Sequence, residues 1–225
     1  PTSGVAEAVR ALRTNIVFMS PDEPFRRLLV TSAGPSEGKT TVACCLATAL
    51  AQSGKSVLLL DADLRRPRLH KVFGTSGARG GVTTALLDPS LLDGAITPTE
   101  VPNLSVLPTG PIAPNPAELL HSASFQRLLD TLSERFDQIV IDSPPLVPVT
   151  DAAILSSLVD ATVVVVRAFQ TRKDLAKQAV RSLRDVNARI AGAVLNDVDF
   201  GRSEYGYYQY YAYKKEGYGA DESAA

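Results

Sequence analysis

Ala33-Gly34-Pro35-Ser36-Glu37-Gly38-Lys39-Thr40 joins the apolar run Arg27 to Ala33 to a stretch, Lys39 to Ser53, that ends at Gly54. The first run reads as a buried strand and the second as a helix stopped by its glycine. A glycine-bearing turn that leaves a strand and opens a helix is the setting in which a phosphate-binding loop is credible. Main-chain N–H groups at the helix start surround the phosphates, and Gly38 lets the backbone come close. Lys39 reaches the outer phosphates, and the Thr40 hydroxyl is a ligand for Mg²⁺. Gly34, Pro35, Ser36, Glu37 and Thr41 complete the candidate binding set. The first position is alanine where glycine is commoner.

A magnesium nucleotide calls for carboxylates at the ends of neighbouring strands. Leu58-Leu59-Leu60-Asp61-Ala62-Asp63-Leu64-Arg65 and Ile139-Val140-Ile141-Asp142-Ser143-Pro144-Pro145 each end an apolar run on aspartate, at the sheet edge where ligands bind. Any one of these aspartates alone reads as a turn residue or a helix cap. Asp61, Asp63 and Asp142 together with the loop read as a constellation around Lys39. Arg65, Arg66 and Arg68 follow the second strand, in reach of phosphates or an acidic partner, with a solvated basic face the stronger reading for Arg66 and Arg68. Asp151 is expected to cap its helix. His70 and His121 carry no catalytic pattern.

The remaining elements follow from periodicity. Val5, Val9, Leu12, Ile16 and Met19 make the apolar stripe of an opening helix. Strands are expected at Ser56–Asp61, Leu104–Leu107, Gln138–Asp142, Ala161–Arg167 and Ala191–Asn196, and helices at Pro116–Phe136, Asp151–Leu158 and Lys173–Asn187. Alternation of this kind, with β-branched runs such as Thr162 to Val166, predicts a doubly wound, mostly parallel α/β sheet covered on both faces. The expected divisions are a helix over 1–20, a nucleotide-binding domain over 21–200 and a tail over 201–225. From Gly201 onward there is no valine, leucine, isoleucine, methionine or phenylalanine, so the tail has little to bury and is expected to be mobile. All seven tyrosines, Tyr205, Tyr207, Tyr208, Tyr210, Tyr211, Tyr213 and Tyr218, fall within it.

A chain of 225 residues that is 45% apolar and 21% charged has the make-up of a soluble protein with one generous core. A net charge of −1 gives no overall field for nucleic acid, which is not expected as a partner. Cys44 and Cys45 have neither zinc-site nor redox spacing and read as core residues. No apolar run reaches the roughly 20 residues of a bilayer span. A chain that begins with Pro1 reads as part of something longer, in which a membrane anchor would lie outside these residues.

The three quoted segments resemble the Walker A, A′ and B signatures of the bacterial tyrosine kinases of capsule and exopolysaccharide assembly. Glu7-Ala8-Val9-Arg10-Ala11-Leu12-Arg13 is similar to that family's E-x-x-R-x-x-R oligomerisation signature, and Pro114-Asn115-Pro116-Ala117-Glu118-Leu119-Leu120 to its P-N-P-x-E-L-L segment. The resemblance implies ATP as donor, ADP as product, Mg²⁺ held by Thr40, Asp61, Asp63 and Asp142, and autophosphorylation of the tyrosine cluster. It implies that Asp61 orients or deprotonates the incoming tyrosine. Asn196 would read the adenine edge, a role that competes with that of a turn asparagine. Glu7, Arg10 and Arg13 would join copies into a ring, an octamer by analogy, in which each tail enters a neighbour's site. A transmembrane activator of the polysaccharide co-polymerase type, fused or separate, and a cognate tyrosine phosphatase would be partners, at the inner face of the bacterial membrane. The competing readings are a partitioning or cell-division ATPase and a catalytically idle assembly module. Those ATPases carry a signature lysine where this chain has Gly34, and an idle module has no need of the complete set from Lys39 to Asp142.

Overall fold

Strand segments without a polar alternation must be covered on both faces. Leu28–Val30, Val57–Leu60 and Ile139–Ile141 are accordingly 0% exposed. The computed structural model describes residues 4–74 and 80–199; the tyrosine cluster lies outside the described residues. In chain order the elements are α1 (Gly4–Phe18), β1 (Arg27–Ser32), α2 (Lys39–Ala51), β2 (Val57–Asp61), α3 (Leu69–Val72) and α4 (Val82–Leu87). A 3₁₀ turn (Pro89–Leu91), α5 (Leu92–Ala95), β3 (Thr97–Pro98), β4 (Leu104–Leu107), α6 (Pro116–His121), α7 (Ala123–Arg135) and β5 (Gln138–Asp142) follow. The chain continues through α8 (Asp151–Ser156), β6 (Ala161–Arg167), α9 (Lys173–Asp185) and β7 (Ile190–Asn196).

The seven-stranded sheet runs β3-β4-β2-β5-β1-β6-β7, parallel except for the antiparallel edge pair β3–β4. Side chains alternate between its faces. Leu28, Val30, Leu59 and Val140 pack on one face with Leu46 and Leu50 of α2 and Ile16 of α1, while Leu29, Leu58, Ile139 and Ile141 pack on the other with Phe125, Leu129 and Leu132 of α7. The register sets Asp61 beside Asp142 across β2 and β5, and Asp142 beside Val30 of β1. The two strand-ending aspartates therefore lie side by side, on the β5 side of the strand that feeds the loop at 33–40.

One expectation is corrected. The helix expected over Pro116–Phe136 is two helices, because Ser122 adopts an extended backbone and its hydroxyl accepts from the Phe125 amide at 3.2 Å, starting α7 anew. Between residues 62 and 103, α3, α4, α5 and the two-residue β3 are each too short to leave a periodic signal. Pro98 fits β3 because an edge strand has no second ladder to lose. No helix among the described residues is long and apolar enough to cross a membrane.

Ser122→Ala removes the cap of α7 and is expected to lower stability by about 1 kcal/mol, read as a lower urea midpoint at unchanged slope. An unchanged midpoint would mean that the break is set by the surrounding packing.

Candidate nucleotide site

The loop after β1 passes through two left-handed residues, Ser36 at φ 62° and Gly38 at φ 90°, before α2 begins. No side chain caps the amino end of α2, so its first amides are left for an anion. The loop is braced from inside by Glu37, whose carboxylate is buried. One oxygen accepts from the Gly34 amide at 2.9 Å and the other from the Thr171 hydroxyl in the β6–α9 connection. The Glu37 carbonyl accepts from Asn196 Nδ2 at 3.0 Å. A Cβ on Gly38 would lie 2.0 Å from that same nitrogen, so both its φ and its contact with Asn196 require glycine.

Lys39 Nζ sits 2.9 Å from Asp63 Oδ2 and 3.7 Å from Asp142 Oδ1, and the Thr40 hydroxyl donates to Asp142 Oδ2 at 2.7 Å. Burial pushes the Asp142 carboxyl up to about 7, against the pull of Lys39 and the Thr40 hydrogen bond and with help from Asp61 and Asp63. Asp142 Oδ1 is buried without a hydrogen-bond partner. Such an orphaned acceptor beside Thr40 fits a magnesium ion that takes its other ligands from phosphate and water. Among the described residues no three acidic, histidine or cysteine side chains gather closely enough to hold a metal by themselves.

Asp61 is fully buried, and burial raises its carboxyl as well. Its oxygens accept from the Asp63, Arg68 and Leu69 amides at 3.1–3.2 Å, so it holds the turn after β2 and does not line the cleft. The carboxylate that does line it is Asp63, beside Lys39 and Ser36 and facing Pro144, Pro145, Pro148 and Val149.

Asp151, expected to cap α8, does not: Thr150 occupies the cap position, and the fully buried Asp151 takes a two-pronged pair from Arg65, Nε to Oδ2 at 2.8 Å and Nη2 to Oδ1 at 2.9 Å. Arg65 lines the cleft from that anchor. Thr41 is exposed on the first turn of α2. Thr171 and the Asp151 pairing escaped sequence reading because each joins residues far apart in the chain without any local pattern. In α1, Arg10 pairs with Glu7 at 3.0 Å, while Arg13 turns to the Ala49 carbonyl of α2 at 3.3 Å.

A parallel sheet whose first strand feeds this loop, with Asp142 at the end of the adjacent strand β5 and Asp61 at the end of β2 next to that, defines a P-loop nucleoside triphosphatase. A family model described as ParA, NUBPL iron-transfer P-loop NTPase, matches residues 25–220. Tyrosine-protein kinase YwqD of Bacillus subtilis is 40% identical over 209 residues, 92% of this chain and 88% of that protein. The crystal structure of the chimerical protein CapA2B2 superposes with a TM-score of 0.83 at 37% identity, over 88% of this chain and 87% of that one. The kinase domain of Escherichia coli tyrosine kinase ETK does so at 0.81 and 34%, over 86% and 75%. Within the ParA-type P-loop NTPases, the chain belongs to the family of bacterial tyrosine-protein kinases.

The raised Asp142 carboxyl has a consequence for stability. The unfolded chain ionises this group near pH 4, whereas the folded chain keeps its proton to about pH 7. Over that window the folded state binds more protons, so the group's contribution falls as pH rises. Asp142→Asn is therefore expected to raise the Tm of the nucleotide-free chain by about 3–6 °C more at pH 7.5 than at pH 5. A difference independent of pH would mean that Asp142 is ionised throughout.

Proposed function

We propose that this chain is an ATP-dependent protein tyrosine kinase that phosphorylates the tyrosine cluster of its own C-terminal tail, passed between copies in a ring. The observation that carries the reading is a phosphate loop with its lysine, hydroxyl and carboxylates gathered at one cleft, in a chain whose tyrosines all lie between 205 and 218. Phosphoryl transfer asks mainly for positioning and for neutralisation of the charge spread over the moving phosphate. The α2 amides and Lys39 serve that purpose, and a magnesium ion at Thr40 and Asp142 would supply further positive charge to the phosphates.

Binding of the phosphates draws Lys39 away from Asp63. The carboxylate released in this way is within the cleft and accepts the phenolic proton, which tyrosine at its ordinary pKa near 10 still holds at neutral pH. The tyrosine oxygen forms a bond to the γ-phosphorus as the bond to the bridging oxygen breaks, and ADP leaves. Asp61 acts through the turn that it fastens. Asn196, already against the loop backbone, keeps its carbonyl oxygen for the adenine edge. Arg65 approaches the phosphates from its Asp151 anchor.

Glu7, Arg10 and Arg13 on the first helix are the contacts of the ring, an octamer by analogy with the family. A transmembrane activator of the polysaccharide co-polymerase type, fused upstream or separate, holds the ring at the inner face of the membrane, and a tyrosine phosphatase resets it. Capsule or exopolysaccharide synthesis and export is the process so regulated. The family model's ParA description favours a second reading, a positioning ATPase that hydrolyses ATP without modifying itself; Gly34 in place of a loop lysine weighs against it.

Intact mass measurement after incubation with Mg²⁺ and ATP separates the two. Multiple additions of phosphate are expected on the full chain, at least about a hundred-fold less on Lys39→Met, and none on a chain cut after Gly201. ATP hydrolysis with no added mass would establish the second reading.

A further inference from the structure

Two concavities meet at Arg66 and Arg68. One is the site cleft, walled by Pro144, Pro145, Pro148 and Val149 opposite Lys39 and Asp63. The other is a shallower hollow bordered by Pro67, Lys71 and Val72. Both arginines line both spaces. The main chain that carries them is fixed. The Arg66 amide donates to Asp63 at 3.0 Å, the Arg68 amide donates to Asp61 at 3.2 Å, and Pro67 between them has a restricted φ. With the backbone turned inward onto the two aspartates, the side chains of Arg66, Arg68 and Lys71 are exposed.

Among the described residues none of these three cations has a carboxylate partner, in contrast to Arg65, which is held by Asp151, and Lys39, which is held by Asp63. Unpaired guanidinium groups at the mouth of a cleft are forked donors for a phosphate or carboxylate. The proline wall offers flat apolar faces to an aromatic ring whose polar end would meet Lys39 and Asp63. The hollow adds positive charge where a neighbouring residue of the same peptide would lie.

We propose that the cleft and the hollow are adjoining halves of one acceptor site. The proline wall takes the tyrosyl ring to be modified, and Arg66 and Arg68, with Lys71, take an anionic group one to three residues away, above all a phosphotyrosine already formed. The proposal rests on the kinase reading given above. An extended peptide covers about 3.3–3.6 Å per residue, so a group at that separation lies roughly 3–11 Å from the reacting tyrosine, the scale of neighbouring subsites. The pairs Tyr207-Tyr208 and Tyr210-Tyr211 supply this spacing, and Glu204 stands next to Tyr205. A phosphotyrosine brings about −1.5 to −2 charges and three acceptor oxygens to the arginines, more than a carboxylate brings. Modification of the cluster is then self-priming: the first phosphate, supplied by ATP, strengthens the hold on the next tyrosine, and chains pass from unmodified to heavily modified with few intermediates.

The test uses the full chain and three fluorescent peptides spanning residues 204–213: unmodified, phosphorylated at Tyr207, and carrying Tyr207→Glu. Binding is followed by anisotropy and transfer by mass, in the wild type and in the double variant Arg66→Gln/Arg68→Gln. The phosphorylated peptide is expected to bind the wild type about five-fold more tightly than the unmodified one, with the glutamate peptide between them. In the variant, with its melting temperature unchanged, the three should bind alike. Equal binding to the wild type, or a preference that survives in the variant, overturns the proposal. So does a variant that loses ATP affinity while keeping the peptide preference, because the arginines would then serve the nucleotide. A binding preference without transfer to any peptide would support the anion subsite and defeat the kinase reading.

Discussion

A phosphate loop must hold several amides pointing inward with no ligand to pay them back, and here one buried carboxylate makes that possible. Glu37 ties its own loop to itself through Gly34, to the β6–α9 connection through Thr171, and, through its carbonyl, to Asn196 at the end of β7. Hydrogen bonds to an ionised group contribute about 1.5–3 kcal/mol each, and removing the acceptor would strand a buried amide and a hydroxyl. The left-handed turn at Gly38, the start of α2 and the position of Lys39 all depend on this brace. It also brings the last strand, which leads towards the tyrosine cluster, into direct contact with the loop that takes the phosphates.

The charges around the cleft follow a second constraint. Asp61, Asp63 and Asp142 are all buried within a few residues of strand ends, and Lys39 is shared between Asp63 and Asp142. Asp61 is satisfied by three amides, which makes it a fastener, whereas Asp142 keeps one oxygen without a hydrogen-bond partner and a raised carboxyl. A site in this condition is completed by cationic and phosphate ligands, not by further folding. The turn that Asp61 and Asp63 fasten presents the unpaired arginines, so the residues that organise the chemistry also shape the surface offered to a substrate.

Much of this was legible in the sequence where the signal is local. The strands ending at Asp61 and Asp142 announce themselves by apolar runs that stop on a carboxylate, and the loop by its glycine and lysine between a strand and a helix. Ser122, by contrast, breaks a helix that apolar periodicity carries straight through, because a cap is a single hydroxyl within a continuous pattern. The short elements between residues 62 and 103 complete barely a turn each. The pairings Glu37–Thr171 and Arg65–Asp151 join segments 134 and 86 residues apart, a distance that no motif spans. The amide contacts of Asp61 were not legible for a related reason: spacing brings a carboxylate to the sheet edge, but only the path of the following turn decides which amides it meets.

The central claim is that this loop delivers phosphate to tyrosine and not to water. A single-turnover reaction with ATP labelled at the γ-phosphate, quenched over time and divided into protein-bound and free phosphate, tests it most directly. The account predicts acid-stable label on tyrosines between 205 and 218, appearing as ATP is consumed. Label recovered entirely as inorganic phosphate would contradict it.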